Sequence, residues 1–132
     1  MKGIILAGRT QRSHWPWVGA ASQQLVSVHD KPMIYYPLST LITAGARDIM
    51  VITDSQDASA VHRILGDGSQ FGVSLSYGVQ PEPHGVAQAL TIGAEFIGSQ
   101  RVALRRRSCR MARCRAAEAL RSAGACRPPL SR

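Results

Sequence analysis

Apolar positions along the first hundred residues follow two alternating rhythms. Lys2 to Ala7 (KGIILA) is a short apolar run bounded by glycine, the pattern of a strand covered on both faces of a parallel sheet. From Pro32 to Ala46 the spacing becomes helical: proline stands at a first helical position, and Ile34, Leu38, Leu41 and Gly45 fall on one face. Pro37 lacks a backbone donor and predicts a kink near the start of this helix. Asp48 to Thr53 reads as a second strand. Ser55 or Asp57 then caps a helix that carries Ala58, Val61 and Leu65 on one face and stops at Gly66. After a loop at 66–72 come a third strand, Val73 to Val79, and a second loop at 80–85. A helix from Val86 to about Phe96 follows, with Val86, Leu90, Gly93 and Ile97 on one stripe, and Val102 to Leu104 opens a fourth strand. Strand and helix alternate throughout, which predicts an α/β fold: a parallel sheet with crossover helices and a ligand crevice beyond the carboxyl ends of its strands.

Composition changes this picture only after residue 100. At 132 residues the chain has room for one domain, burying roughly two-thirds of its unfolded surface. The net charge of +8 at first points to a nucleic acid or an anionic membrane as partner. That charge is confined to one end. Residues 1–100 hold six Lys or Arg and seven Asp or Glu, whereas 101–132 hold ten arginines and only Glu118. All three cysteines, Cys109, Cys114 and Cys126, lie in the same end, and their odd number is no secreted disulfide framework. The apolar run in MKGIILAG is too short for a signal-peptide core, and no stretch reaches the eighteen or so apolar residues of a membrane span. A cytoplasmic location is the resulting expectation.

The grammar of the chain breaks within the fourth strand. After Leu104 the sequence runs RRRSCRMARCRAAEALRSAGACRPPLSR, with almost no β-branched residue. GC-rich codons read in the wrong register give mostly Arg, Ala, Pro, Ser, Gly and Cys, so residues 105–132 read as an out-of-frame tail on a domain at 1–104. A disordered basic tail is the alternative. RRRSCRMARCR can hold phosphates by charge, and with no aromatic interleaved its contact with nucleic acid would be nonspecific.

Four segments together resemble one family, the glucose-1-phosphate thymidylyltransferases within the sugar-nucleotide pyrophosphorylases. They are MKGIILAG, HDKPMIYYPLSTLITAGARDIMVIT (His29 to Thr53), LGDGSQFGVSLSYGVQPEPHGVAQAL (Leu65 to Leu90) and GAEFIG (Gly93 to Gly98), in family spacing without gaps. The resemblance covers residues 1 to about 104, roughly the first third of a full-length member. It implies a Rossmann-like nucleotidyltransferase fold, truncated here to three or four parallel strands. It also implies a homo-oligomeric enzyme that joins dTTP and glucose 1-phosphate into dTDP-glucose and pyrophosphate with Mg²⁺, in rhamnose and deoxysugar biosynthesis.

Such a reaction needs a glycine loop close to the phosphates, cations on the leaving group and a metal held by carboxylate. The loop from Gly8 to Leu25 departs from most of what the family resemblance implies for it. Gly8 matches the first glycine of the G-G-x-G-T-R pattern, but Arg9 and Gln11 occupy two other glycine positions. Ser13 stands for the catalytic arginine and Gln23 for the pyrophosphate-binding lysine. A one-residue shift, matching R-S-H-W-P to R-L-x-P, would make Arg12 the catalytic arginine. The L-V-L-G-D-N segment of the family would align its metal-binding aspartate with Ser108, so no metal ligand is expected.

The nucleoside end is better kept. The resemblance implies that Leu6, Ala7 and Gly8 line the deoxyribose and base, Gln24 contacts the nucleotide, Gln80 reads the thymine edge and Gly85 lets the backbone approach the base. Read from the residues alone, Gln80-Pro81 is equally a strand-ending turn. His14, His29, His62 and His84 have no metal spacing and read as structural or solvated, and the cysteines lack a tight pair and a fourth ligand for zinc. Asp67 reads as a turn residue, with substrate contact as the sharper alternative. Trp15 and Trp17 either cover apolar surface or stack on a base. The family-level activity is therefore expected with catalysis impaired, and the rival is a non-catalytic remnant or a weak, nonspecific anion binder. Reading the gene in its other two frames after Leu104 tests the origin of the tail: V-L-G-D-N is expected in one of them, and its absence from both would refute the frame shift.

Overall fold

A computed structural model describes residues 1–8, 24–81, 86–106 and 111–115, with Arg106 and 111–115 described by their backbone. Its sheet has the strands β1 (Lys2–Leu6), β4 (Asp48–Thr53), β5 (Ser74–Val79), β6 (Arg101–Arg106) and β7 (Met111–Arg115), in the order β5-β4-β1-β6-β7. The first four in that order pair in parallel, and β7 pairs antiparallel to β6. A two-stranded ribbon, β2 (Ser27–Val28) and β3 (Lys31–Pro32), turns through His29 at φ 65°. The helices are α1 (Tyr35–Thr43), α2 (Ala58–Leu65), α3 (Val86–Ile92) and α4 (Ala94–Ile97).

Side-chain alternation on the strands divides the core into two layers. Ile5 and Ala7, Ile49 and Val51, and Ala103 face one way and pack with Ile34, Leu38 and Leu41 of the α1 region and Val61 and Leu65 of α2. Ile4 and Leu6, Ile52, and Val102 and Leu104 face the other way, against Ala89, Leu90 and Ile97 of α3 and α4. With helices on both faces, every central strand must be apolar on both sides, which is why the strands read as continuous apolar runs. After β4 and β5 are added on one side of β1, the chain crosses back to place β6 on the other. The order therefore reverses between β1 and β6, and open α/β sheets bind their ligands beyond the carboxyl ends of the strands at such a reversal.

Several element ends differ from the periodicity. α1 begins at Tyr35, not Pro32, because Pro32 pairs with Ser27 in the ribbon and the Ile34 nitrogen donates to the Gln24 carbonyl at 3.1 Å. Pro37 thus falls in the first turn, where its nitrogen would have no intrahelical acceptor, and it costs the helix no bond. Gly45 is not on the apolar face but ends the helix at φ +89°, with Gly45 donating to Ile42 and Ala46 to Leu41. Of the two proposed caps for α2, Asp57 takes the position but with helical backbone angles and no side-chain hydrogen bond to the helix start, and the helix stops at Gly66. Val73 leaves β5 by donating to the Gly68 carbonyl. The helix expected from Val86 to Phe96 is two short helices that break at Gly93. A Cβ there would stand 2.9 Å from Ile4 Cδ1, so the chain at this point lies directly on the sheet. β6 continues two residues beyond Leu104, and 111–115 add a strand that the periodicity did not indicate.

Gly68 and Gly45 both have positive φ, but a Cβ on Gly68 would meet Leu75 Cγ at 2.6 Å and the Val73 carbonyl at 2.7 Å, whereas Gly45 faces open space. Gly45→Ala is expected to lose about 1–2 kcal/mol from left-handed strain alone. Gly68→Ala should lose about 1–3 kcal/mol more through overpacking. Urea unfolding of both variants checks this, and equal losses would mean that the contact at Gly68 is not tight.

Candidate functional site

The residues at the carboxyl ends of β1, β4 and β5 are brought together by two short backbone links. Ala7 donates to the Ile52 carbonyl at 2.7 Å, and Gln80 donates to the Thr53 carbonyl at 2.7 Å. These bonds carry the ladder one step past the strands, so that Gly8 and Gln80 leave the sheet on either side of the end of β4. A Cβ on Gly8 would stand 3.7 Å from Gln80 Oε1 and 4.0 Å from the Asp54 nitrogen. A larger side chain at Gly8 would therefore grow over the Gln80 amide.

Gln80 is a buried amide, 4 % exposed, at a strand end. Its Nε2 donates to Oε1 of Gln88, in the first turn of α3, at 2.5 Å. A buried amide must be hydrogen-bonded, and here one partner comes from the helix that covers that face of the sheet. Gln88 was not among the sequence-derived candidates. The signal for it was an amide standing between apolar positions in V-A-Q-A-L, eight residues after the strand-end glutamine. On the β4 side, Asp54 Oδ1 accepts from the Asp57 nitrogen at 3.0 Å and so shapes the entry to α2.

Leu6, Ala7, Gly8 and Gln80 thus lie at the carboxyl end of the sheet. Leu6 and Ala7 face opposite core layers, so only one of the two can front a given side of the crevice. Gln24, 2 % exposed, lines a cavity of about 260 Å³ with Val28, Met33, Tyr36, Pro37 and Arg105. Arg12, Ser13, Gln23, Gly85 and Ser108 lie outside the described residues, as do Trp15 and Trp17.

Asp67 sits in the turn before β5, at the amino end of that strand, where its backbone carbonyl accepts from Leu75. Its carboxylate accepts from the Ser69 hydroxyl at 2.7 Å and the Ser69 nitrogen at 3.0 Å. Those bonds, the hydroxyl first, hold its pKa below the usual aspartate value. The crevice is at the opposite end of β5, which leaves Asp67 a turn residue. Nearby, Tyr77 donates to the Gly66 carbonyl beneath the His62 ring, and burial raises its pKa, with the Asp67 charge adding to the shift. His29 and His62 are exposed.

Among the described residues, no group of three or more His, Cys, Asp or Glu could hold a metal ion. No helix among the described residues is long and apolar enough to cross a membrane.

Comparison with known proteins agrees with this architecture. The glucose-1-phosphate thymidylyltransferase of Neisseria meningitidis serogroup A is 58% identical over 104 residues, which cover 79% of this chain and 36% of that protein. The enzyme of the same name from Mycolicibacterium smegmatis is 59% identical over the same span, again 79% of this chain and 36% of that protein. The chain therefore spans about a third of the length of these curated relatives. A Bacillus anthracis structure solved with sucrose and assigned to the glucose-1-phosphate thymidylyltransferases superposes with a TM-score of 0.74 at 38% identity, covering 80% of this chain and 43% of that one. A UDP-glucose pyrophosphorylase from Acinetobacter baumannii shares the fold alone, with a TM-score of 0.65 at 20% identity over 80% of this chain and 45% of its own. The nucleotidyl transferase family model matches residues 2–106, from the start of β1 to the end of β6, and on that match the chain belongs to the nucleotidyl transferase family.

Proposed function

We propose that this chain carries the nucleoside-binding part of a glucose-1-phosphate thymidylyltransferase and binds dTTP with its thymine edge on Gln80 and its deoxyribose over Gly8. The observation that carries this reading is the convergence of Gly8 and Gln80 at the carboxyl end of the sheet, with the Gln80 amide held by Gln88. An amide presents both a donor and an acceptor, which is what the imide edge of thymine requires. Gly8 leaves room above that amide for the flat face of a base. The names of the relatives support the substrate class, and the family resemblance implies that Gly85 lets the backbone approach the base.

The full reaction places an oxygen of glucose 1-phosphate in line on the α-phosphorus of dTTP. The new oxygen–phosphorus bond forms as the bond to pyrophosphate breaks, so catalysis consists of positioning and neutralising charge. We infer that this chain performs that step poorly. Side chains at Arg9 and Gln11 replace glycines of the phosphate loop, and neutral Ser13 and Gln23 replace its arginine and lysine. Arg12 is the one substitute arginine available, in a register shifted by one residue. Losing a group that stabilises charge in phosphoryl transfer lowers turnover on the order of 10³-fold or more.

Two measurements on the purified chain separate binding from chemistry. Millimolar dTTP is expected to raise the thermal midpoint, and Gln80→Ala to abolish most of that shift; no shift with the wild type would remove the nucleoside reading. Pyrophosphate release with dTTP, glucose 1-phosphate and Mg²⁺ is expected to be at least about 10³-fold below that of a member with an intact loop. Turnover near that member's rate would overturn the inferred impairment.

A further inference from the structure

The two ends of the Gln80 amide point to different neighbours. Nε2 donates to Gln88 Oε1 on α3 at 2.5 Å, and Oε1 is turned toward the end of β1, 3.7 Å from where a Cβ on Gly8 would stand. Turning this amide over by itself would set two oxygens against each other and lose the bond. Gln88 is firmly placed to impose that sense. Its neighbours Ala89 and Leu90 are buried in the layer beneath α3, the Gly93 nitrogen donates to the Ala89 carbonyl at 2.9 Å, and Gly93 lies on Ile4. The backbone that carries Gln88 is thereby fixed against the sheet, and its half-buried side chain meets a buried amide at the strand end.

The sense of that amide decides which pyrimidine it can pair with. Thymine and uracil present an N–H at N3 beside a carbonyl oxygen, so they take an acceptor at N3 and a donor next to it. Cytosine presents a bare nitrogen at N3 beside an amino group and takes the reverse. An amide that turns over freely serves both kinds of base, one orientation for each. An amide held in one orientation serves one kind, and the other kind brings two donors or two acceptors face to face in a buried site. Oxygen toward the crevice is the orientation for a base with a hydrogen at N3. The amide nitrogen carries two hydrogens, so its bond to Gln88 does not consume the donor that the base carbonyl takes.

We propose that Gln88 is a positioning residue: by accepting from Gln80 Nε2 it fixes the sense of the Gln80 amide, and so makes the crevice select thymine or uracil nucleotides against cytosine nucleotides. Gln88 acts through Gln80 and needs no contact of its own with the nucleotide. The inference rests on the nucleoside reading above and adds to it the residue that sets base selection.

The test measures the affinity of the whole chain for dTTP, dUTP and dCTP by calorimetry, with the ratio between bases as the readout. A variant that only loosens α3 or repels the triphosphate weakens all three and leaves the ratio unchanged. The wild type is expected to bind dTTP and dUTP at least about tenfold more tightly than dCTP, the penalty for a mispaired buried polar group. Gln88→Glu, which at neutral pH only accepts, should keep that ratio. Gln88→Lys only donates; it should draw Gln80 Oε1 to itself, turn Nε2 to the crevice, and level the ratio or invert it toward dCTP. Gln88→Leu offers neither partner and should level the ratio, which covers the case in which the lysine variant does not fold. Binding of dTTP with the wild-type ratio kept in the lysine and leucine variants would overturn the role of Gln88 alone, as would dUTP binding as weakly as dCTP. Binding of none of the three by the wild type would overturn the nucleoside reading, and this inference with it.

Discussion

β1 is hydrogen-bonded in parallel to β4 on one edge and to β6 on the other, with a helical layer against each face. Five residues thereby satisfy their backbone groups inside the sheet and bury side chains in both core layers. Ile4, Ile5 and Ala7 are essentially inaccessible to water. Such a strand cannot carry polar side chains along its length, so polar chemistry has to begin where it ends. Gly8 marks that point. The location of the crevice is a consequence of how β1 is buried.

The same constraint orders the neighbouring strands. β4 ends in Thr53 and Asp54 and β5 in Gln80, each polar residue following an apolar strand. The Gln80 amide is tolerated in a buried position because Gln88 on α3 supplies a partner. The close seating of α3 and α4 on the sheet at Gly93 keeps that partner near. β6 shows the contrast. Its first half follows the rule and its last described side chain breaks it, since Arg105 puts a cation where the layer expects an aliphatic group.

Much of the architecture was legible in the residues. The apolar runs of β1 and β4, the stripe of α2 with its stop at Gly66, and the stripe Val86, Leu90, Gly93 and Ile97 all follow from local periodicity. Element ends were less legible, because they were decided by partners distant in sequence. Pro32 went to the ribbon through Ser27, Val73 to Gly68, and the break at Gly93 to contact with Ile4. At the crevice, Gly8 and Gln80 could be named from their family pattern. Gln88 and Arg105 could not, since one acts through a contact between helix and strand end and the other through burial on a particular face.

By itself the sequence determined the alternation of strand and helix and the near-neutral balance of the first hundred residues against the arginine-rich end. These are local properties, written in residue type and spacing. Only the tertiary structure decided that the strand order reverses between β1 and β6, that Gln80 is paired with Gln88, and that the Nε of Arg105 is shielded from solvent. Each of these depends on which elements lie side by side, and that is set by burial of two apolar layers around one sheet.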